Sequence, residues 1–589
     1  MAPKTRPSYC FAWRRDSTSE TGRNDGLLNG EAHRGGQNQA AISERLLAVF
    51  SNVILPVIIF IGFAGYALTS LFPAEANYFV HGGHTERTIS RSHLERLGSP
   101  PRADVGGSRR LRLFMPADGP NINLCKTVMS AVALGYPMPT MLNWGGEFNR
   151  PDWHFAGSHI AKLESLLAVI DALYEDDGGD VDENDLVLLV DAYDVWFQLP
   201  PSVLIERFHR LNRDADARAR QQWESRGLKP DFPIQPPSQS IVVTTAKDCQ
   251  PDWESGSSPR YEYWPDSPLP SDFYGERTDR VLPYAFDSAR KYKKIRPRCV
   301  NSGMIMGTIG SLRGALRKCK DKVDEAAASG RQLWSDQALF AEVIGDQEVW
   351  RHWVRGLAST WNGFVSNDHP GALPKEVRRI AGEALAGERF EFGIGLDYDF
   401  ATIPPTCSSE DDGFFVKLDD AEAVRKGSET AGVPGDVRVK GIPPELKDAA
   451  QPLSGLGWGN VSLYTDFFFG TTPVGIHHNA YIFGLKPWRL ENWWNMTWFY
   501  PHLRDLVGNA LESNRKLTPL ARLPIHGDAG NEMIYWASEE GAGSKAVRVF
   551  DGSGKEAKFA SIGWDDVCQK GDEKWYNVLF GDGQGPLTA

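Results

Sequence analysis

The sequence Asp185-Leu-Val-Leu-Leu-Val-Asp-Ala-Tyr-Asp194-Val-Trp-Phe197 carries most of the information on the fold and on a functional site. Its apolar run, Leu186 to Val190, has the length of one strand and is typical of strands buried on both faces of an α/β sheet. Asp191 and Asp194 follow it directly, and ligands of such sheets bind beyond the carboxyl ends of the strands. Because carboxylates suit Mg²⁺ and Mn²⁺, which also bind substrate phosphates, the stretch indicates a metal and phosphate site.

The composition is typical of a large globular protein. The chain has 589 residues, of which 41% are hydrophobic and 19 are tryptophan, so a sizeable core can form. Its formal net charge is −12, and the basic cluster at residues 291–298 is short. Nucleic-acid binding is therefore disfavoured, since it requires a broad basic surface.

An uncharged apolar segment over residues 46–72 predicts a membrane anchor. Arg45 and Glu75 bracket it, and a helix rising about 1.5 Å per residue over this length would cross a hydrocarbon core of about 30 Å. A long polar segment precedes it, which is unlike a cleaved signal peptide. We therefore predict a disordered cytosolic tail over residues 1–45, a transmembrane helix over 46–72 and a stem over 73–108.

Three features favour a lumenal position for the rest of the chain. Residues 1–45 contain seven Lys and Arg against five Asp and Glu, which favours a cytosolic N-terminus. The sequons Asn460-Val-Ser462 and Asn495-Met-Thr497 are acceptors for N-glycosylation. Six of the seven cysteines follow the apolar segment, and an even number can all pair in an oxidising compartment. We therefore expect a single-pass type II protein of the Golgi or endoplasmic reticulum membrane.

Beyond residue 108 the pattern alternates between strand and helix. The apolar residues 111–115 predict a first strand, residues 157–175 have helical spacing, and Leu186–Val190 predicts the next strand. Such alternation predicts an α/β domain with a parallel sheet. Polar segments near 228–290 and 408–452 interrupt the pattern and predict insertions.

Four short motifs follow one another between residues 110 and 500. They are Lys162 with the aspartate motif at 187–195; Ala246-Lys-Asp-Cys249; Asn301-Ser-Gly303 with Trp334-Ser-Asp-Gln337; and Val474-Gly-Ile-His477-His-Asn479. Their order and residue types resemble the glycosyltransferase domain of the procollagen lysyl hydroxylase and collagen glucosyltransferase family. This resemblance implies a GT-A-like fold, a Rossmann-related mixed sheet flanked by helices, over residues 109–505, with a C-terminal extension over 506–589.

The same resemblance implies a role for each site residue. Asp191, Asp194 and His477 would bind Mn²⁺, with Mg²⁺ as the alternative. Tyr193 would stack on uracil, and Asp336 would act at the donor sugar as the catalytic residue. The other donor-binding residues would be Lys162, Asn301, Ser302, Gly303, Asn479 and Lys486. The sequence departs from the family pattern at Ala480, where the family has glycine, and Lys486 matches the family lysine only loosely.

Ordinary structural explanations exist for the same residues. Aspartates that follow a strand often cap turns, and Asp336 is suited to cap the helix that follows it. His477 would equally fit a hydrogen-bonded histidine at a strand end, and Asn301-Ser-Gly303 would fit a turn.

The sequence as a whole predicts a membrane-anchored lumenal glycosyltransferase that moves a hexose from a UDP-sugar to a protein or glycan acceptor. A divalent cation would stabilise the negative charge that develops on the leaving nucleoside diphosphate. Two other classes stay open: a metal-dependent hydrolase of nucleotide sugars or phosphoesters, and a non-catalytic lumenal binding protein with the same fold. An iron-dependent oxygenase is disfavoured because no histidine follows His526-Gly-Asp528 to complete a facial triad.

We also predict a disulfide between Cys249 and Cys299. Both cysteines precede sheet elements that flank the expected donor site, and both lie on the predicted lumenal side. In the chain-entropy view, a bridge that closes a loop of this length stabilises the fold by about 4 kcal/mol.

Overall fold

The residues Leu186–Val190 form the predicted strand, and all five of their side chains are buried. The computed structural model describes residues 89, 91–97, 106–153, 157–176, 181–226, 231–247, 249, 256–278, 294–359, 361, 373–480, 482–512, 518–525, 531–538, 546–552, 558–569 and 571–587. The predicted cytosolic tail and transmembrane helix lie outside these residues. Within them, no helix has both the length and the apolar character needed to cross a bilayer.

The strands are defined in chain order. They are β1 (Gly107–Pro116), β2 (Thr140–Leu142), β3 (Leu186–Val190), β4 (Val195–Phe197), β5 (Ile241–Ala246), β6 (Cys299–Thr308), β7 (Ile394–Asp397), β8 (Gly413–Val416), β9 (Leu463–Asp466), β10 (Gly475–His477), β11 (Ala521–Pro524), β12 (Glu532–Ala537), β13 (Val547–Asp551) and β14 (Lys558–Ile562).

The α-helices are numbered in the same way. They are α1 (Arg91–Leu97), α2 (Ile122–Ala133), α3 (Gly157–Asp176), α4 (Pro201–Ser225), α5 (Ile309–Ala328), α6 (Asp336–Ser359), α7 (Lys375–Leu385), α8 (Ala421–Ala431), α9 (Pro444–Lys447), α10 (Leu485–Asn492), α11 (Leu503–Glu512), α12 (Trp564–Cys568) and α13 (Trp575–Phe580).

The main sheet is mixed and runs in the order β14-β13-β2-β1-β3-β6-β5-β7. Strands β1, β2 and β3 are parallel, as are β5 and β7, whereas β6 is antiparallel to both of its neighbours. Two small antiparallel sheets, β4–β10 and β8–β9, lie apart from it. The prediction of an α/β fold with a mixed sheet flanked by helices is therefore confirmed, whereas the parallel sheet expected from the alternation of strand and helix is wrong, because β6 and β14 run antiparallel to their neighbours.

Side chains of β3 alternate between two hydrophobic cores, one on each face of the sheet. Leu186, Leu188 and Val190 pack in the core that includes residues of α2 and α4. Val187 and Leu189 pack in the other core, which includes residues of α3, α5 and α6. Because burial of each such side chain stabilises the fold by about 1.5–3 kcal/mol, both faces of the strand contribute.

The predicted stem and C-terminal extension both contribute to the folded part of the chain. Within the stem, α1 buries Leu94 in a third hydrophobic cluster that contains Trp350 and Trp353. Within the extension, β12 pairs with the first half of β1, and β13 pairs with β2. A disulfide between Cys125 in α2 and Cys568 in α12 ties the extension to the domain.

The predicted disulfide between Cys249 and Cys299 is confirmed. Cys299 begins β6, as expected, but Cys249 follows β5 rather than preceding a strand. The pairing of Ala246 with Cys299 in the β5–β6 ladder brings the two cysteines together. The expectation that all six later cysteines can pair is wrong, because Cys319 in α5 is a buried free thiol.

A buried charged cluster connects the end of β5 to the small sheet β8–β9. Lys247, which follows β5, lies with its Nζ 2.5 Å from Asp412 Oδ2 and donates to the Ser408 carbonyl oxygen. Asp466, the last residue of β9, is buried close to this pair. Burial, followed by the negative charge of Asp412, raises the pKa of Asp466 to about 7.

The raised pKa of Asp466 predicts how stability depends on pH. Since the folded-state pKa exceeds the unfolded value, near 3.9, the stabilising contribution is complete below about pH 4 and is lost as the pH rises through 7. The variant Asp466→Asn does not ionise and keeps the acceptor oxygen for the N–H groups of Phe468 and Phe469. As the pH rises from 4 to 7, the native protein should therefore lose stability relative to this variant. The difference between their free energies of unfolding should change by up to about 1.4 kcal/mol per pH unit.

Urea unfolding of the two proteins at several pH values measures this difference. The variant Asp436→Asn, which changes an exposed carboxylate, is the matched control. A constant difference between the Asp466→Asn variant and the native protein across this range would contradict the assignment.

Candidate metal centre

Strand pairing brings Asp191, Asp194 and His477 together. Asp191 follows β3, and its N–H donates to the Gly303 carbonyl oxygen at 2.9 Å, which extends the β3–β6 pairing by one residue. Asp194 precedes β4, where Val195 pairs with His477 of β10, and the His478 N–H donates to the Asp194 carbonyl oxygen at 2.7 Å. The register of β4 and β10 therefore places His477 beside the aspartate motif.

The three side chains form a group that could hold a metal ion. His477 Nε2 lies 3.3 Å from Asp194 Oδ2 and 3.5 Å from Asp191 Oδ2. One ligand atom from each residue lies within 4.8 Å of the other two. Asp194 Oδ1 is buried and has no hydrogen-bond partner among the described residues, so a cation would satisfy it. The residues therefore fit a metal centre.

Two lysines bind the carboxylates of this centre. Lys486 Nζ lies 2.6 Å from Asp194 Oδ2. Lys162 Nζ lies 2.6 Å from Asp191 Oδ1 and 3.1 Å from Asp336 Oδ2. With a neutral His477, these three carboxylates and two ammonium groups have a formal charge of −1. A divalent cation would change it to +1, which favours binding of an anionic ligand such as a diphosphate.

These contacts keep the acidic groups ionised. Burial alone would raise the pKa of Asp194, but the charge of Lys486 and the hydrogen bond with His477 outweigh it and hold the pKa well below its usual range. Burial would also raise the pKa of Asp336, but the charge of Lys162 outweighs it, so this pKa is lowered too. Burial would lower the pKa of Lys162, but Asp191 and Asp336 raise it. At neutral pH the site therefore contains carboxylates and an ammonium group.

A bulge in β6 directs the Asn301-Ser-Gly303 segment into the site. Val243 of β5 pairs with Ile305, whereas the next residue, Thr244, pairs with Asn301, so residues 302–304 are additional. Bulges of this kind are common beside active sites, where they redirect side chains. Here the Ser302 hydroxyl donates to Asp336 Oδ2 at 2.9 Å, which connects the bulge to the start of α6.

The helix-cap explanation for Asp336 does not hold. Helix α6 is capped by Ser335, whose Oγ accepts from the Ala338 N–H at 3.2 Å, while the Asp336 carboxylate pairs with Lys162. His477 is buried at the end of β10, but its Nδ1 has no hydrogen-bond partner among the residues that the structure describes.

Two further predicted residues lie at the borders of the site. Tyr193 is half-buried, and its hydroxyl donates to Asp118 Oδ1 at 2.7 Å. Burial, reinforced by Asp118, raises the pKa of Tyr193, so the phenol stays protonated. Asn479 is buried, and its Oδ1 accepts from the Cys407 N–H at 3.0 Å, so this side chain fixes the loop that follows β7.

The sequence reasoning missed Asp118 and assigned no role to Gln337. Asp118 lies just beyond the carboxyl end of β1, so the strand-end argument used for Asp191 would have indicated it. Gln337 Oε1 accepts from Asn301 Nδ2 at 3.2 Å and supports the bulge. No local signal predicts that contact, because it depends on how α6 packs against β6.

The chain matches no protein-family model and no curated protein. The resemblance to the collagen-modifying glycosyltransferases therefore rests on the short motifs.

Residue 303 has to be a glycine because the His477 imidazole occupies the space that a side chain would need. A Cβ atom on Gly303 would lie only 2.3 Å from His477 Cε1 and Nδ1, which no packing tolerates. The variant Gly303→Ala should therefore displace the imidazole and weaken divalent-cation binding by about tenfold or more, equivalent to 1.4 kcal/mol. Titration with Mn²⁺ as a paramagnetic probe measures the affinity.

The matched control is Gly508→Ala in α11, where an added Cβ would contact nothing within 4 Å. This variant should bind Mn²⁺ as the native protein does. Unchanged Mn²⁺ affinity in folded Gly303→Ala protein would show that His477 does not bind the cation.

Proposed function

We propose that this chain is a metal-dependent glycosyltransferase with a GT-A-like fold that transfers a hexose from a UDP-sugar. The observation that carries the proposal is the convergence of Asp191, Asp194 and His477 with Lys162 and Lys486 beyond β3. Such a group of carboxylates, imidazole and ammonium groups has the chemistry needed to bind a divalent cation and a diphosphate.

The topology supports the GT-A-like part of the proposal. The candidate site lies at the carboxyl end of β3, next to the antiparallel strand β6. Ligands of open α/β sheets bind at this edge, where strand order changes direction. The bulge in β6 and the first residue of α6 meet at the same edge, so residues of three elements can contact one donor.

The metal proposed for Asp191, Asp194 and His477 is Mn²⁺, with Mg²⁺ as the alternative. Carboxylates suit both ions, whereas an imidazole ligand favours a transition metal. When bound, the cation would neutralise charge that develops on the leaving diphosphate.

The other side chains would position the donor. Tyr193 would supply a ring for the uracil, with its hydroxyl held by Asp118. Lys486 and Asn479 would lie at the diphosphate. Asp336, kept ionised by Lys162, would act at the hexose as the catalytic residue, and Ser302 would hold it in place. Asn301 and Gly303 would shape the same subsite.

We further propose that the domain is lumenal, in the Golgi or endoplasmic reticulum, and is anchored by residues 46–72 as a type II protein. Two disulfides support an oxidising compartment, since such bonds are rare in the cytosol. Asn460 and Asn495 are both exposed, as glycosylation requires.

Glycosidase treatment of protein from a eukaryotic host should increase its electrophoretic mobility, and Asn460→Gln with Asn495→Gln should remove that shift. If protease added to the cytosolic side of intact membranes digests the domain, the topology is contradicted.

Loss of the metal ligands tests the enzymatic proposal. Asp191→Ala and Asp194→Ala should each reduce hexose transfer by about 100-fold or more, as expected when transition-state charge loses its electrostatic stabilisation. Both should also abolish Mn²⁺-dependent UDP binding measured by calorimetry. Tyr193→Ala should mainly weaken donor binding, whereas Asp336→Asn should lower kcat more than it raises KM.

The matched control is Asp152→Ala, which removes an exposed carboxylate outside the site. A screen of UDP-sugars with Mn²⁺ identifies the donor. Full activity in excess EDTA would contradict the mechanism. Release of UDP and hexose, whatever acceptor is added, would favour the hydrolase, and UDP binding without turnover would favour the binding protein.

A further inference from the structure

Helix α10 buries a charged side chain that the proposed function does not use. Arg489 is 2% exposed, and burial lowers the pKa of its guanidinium. Its Nη1 donates to Thr406 Oγ1 at 2.9 Å, and its Nη2 donates to the Glu410 carbonyl oxygen at 2.8 Å. The ring of Trp493 lies 4.5 Å from the guanidinium carbon. Because a buried charge that is bound to neutral oxygens is only partly compensated, stability alone is a weak explanation for an arginine at this position.

Thr406 connects Arg489 to the candidate metal centre. It lies in the loop that follows β7, and its N–H donates to the His477 carbonyl oxygen at 3.0 Å. Its hydroxyl proton is shared between the carbonyl oxygens of Asn479, at 2.5 Å, and His477, at 2.9 Å. The N–H of the next residue, Cys407, donates to Asn479 Oδ1 at 3.0 Å. The loop at Thr406 therefore fixes the main chain of a proposed metal ligand and of a proposed diphosphate ligand.

The helix that contains Arg489 also brings Lys486 to the centre. Lys486 lies three residues before Arg489, so the two side chains are neighbours on one face of α10. Lys486 Nζ lies 2.6 Å from Asp194 Oδ2, while Arg489 binds the loop at Thr406. Leu490, beside Arg489, is buried as well, so this face of the helix packs against the domain. Loss of the Arg489 contacts would therefore loosen α10 and, with it, the lysine at Asp194.

We propose that Arg489 is a positioning residue of the metal and diphosphate site. Through Thr406 it holds His477 and Asn479. Through α10 it holds Lys486. One guanidinium thus fixes the metal ligand relative to the groups assigned to the diphosphate. The inference rests on the metal and diphosphate binding proposed above, but it does not depend on hexose transfer.

The shape of a guanidinium suits this role. Its planar fork donates in two fixed directions at once, whereas the ammonium group of a lysine is a point charge on a flexible stem. Here the two directions are the hydroxyl of Thr406 and the carbonyl oxygen of Glu410, which lie four residues apart in one loop. The fork therefore fixes the orientation of the loop as well as its distance from α10.

A purely electrostatic role for Arg489 is the alternative. A positive charge behind the site would attract an anionic ligand from a distance, and it would not require the contact with Thr406. The variant Arg489→Lys keeps the charge but loses the fork. The variant Thr406→Val keeps the charge and the volume but loses the hydroxyl. The two explanations therefore predict opposite results for both variants.

The test measures Mn²⁺ binding to the full chain by electron paramagnetic resonance in the absence of UDP. Thr406→Val and Arg489→Lys should each weaken Mn²⁺ binding by about tenfold, since groups that orient a metal ligand typically contribute roughly 10–100-fold. Thr406→Ser keeps the hydroxyl and should restore most of the affinity. Pulsed spectra should show coupling of Mn²⁺ to an imidazole nitrogen in the native and Thr406→Ser proteins, and a weaker coupling in Thr406→Val protein.

UDP binding tests the diphosphate part of the proposal. Calorimetry with saturating Mn²⁺ should show that Arg489→Lys weakens UDP binding several-fold, because Lys486 loses its fixed place when α10 loosens. Native UDP affinity in this variant would contradict that part.

The matched control is Thr245→Val. The buried Thr245 hydroxyl also donates to a main-chain carbonyl oxygen, that of Asp397 in β7, at 2.7 Å. This variant should lose stability as Thr406→Val does, but its Mn²⁺ affinity and nitrogen coupling should stay native.

Native Mn²⁺ affinity in Thr406→Val protein would overturn the positioning role, and this variant decides the question even if Arg489→Lys does not fold. Native Mn²⁺ and UDP affinities in Arg489→Lys protein would assign Arg489 the electrostatic role instead. Either result leaves the proposed function intact, whereas a native protein that binds neither Mn²⁺ nor UDP would overturn both.

Discussion

The pairing of three carboxylates with two lysines is the interaction on which the candidate site depends. Asp191, Asp194 and Asp336 approach one another from the ends of different elements. Two like charges at about 4 Å repel by about 4 kcal/mol at an effective dielectric constant of 20, so the group needs compensation. Lys162 supplies it between β3 and α6, and Lys486 supplies it from α10. The site is therefore organised before any ligand binds.

The backbone gives this charged group its shape. The β4–β10 register fixes His477 beside Asp194, and the bulge in β6 brings Ser302 to Asp336. Gly303 lies where these parts meet, because the His477 imidazole occupies the space that a side chain would need. A small change of register in the β4–β10 ladder would separate His477 from the aspartates. The geometry thus depends on main-chain hydrogen bonds as much as on the charged side chains.

The sequence predicted the parts of this arrangement that are local. Strand β3 could be recognised because all of its side chains are apolar, and the aspartate pair because it follows that strand. The motif resemblance added His477 and Lys486, although nothing in the chain itself fixed their distance to Asp194. The antiparallel direction of β6 and the places of β12 and β13 were not predictable. Strands β12 and β13 are short, and all three strands pair with segments that lie far away in the chain.

The place of the C-terminal strands has a consequence for biosynthesis. Because β12 lies beside β1 and Cys568 is bonded to Cys125, 443 residues earlier, the first strand that the structure describes waits for a neighbour that the ribosome makes much later. Until then one border of β1 presents open backbone groups, which are prone to pair with other chains. The sheet is therefore completed only after β12 has been synthesised, and the nascent domain would need protection by chaperones until that strand emerges.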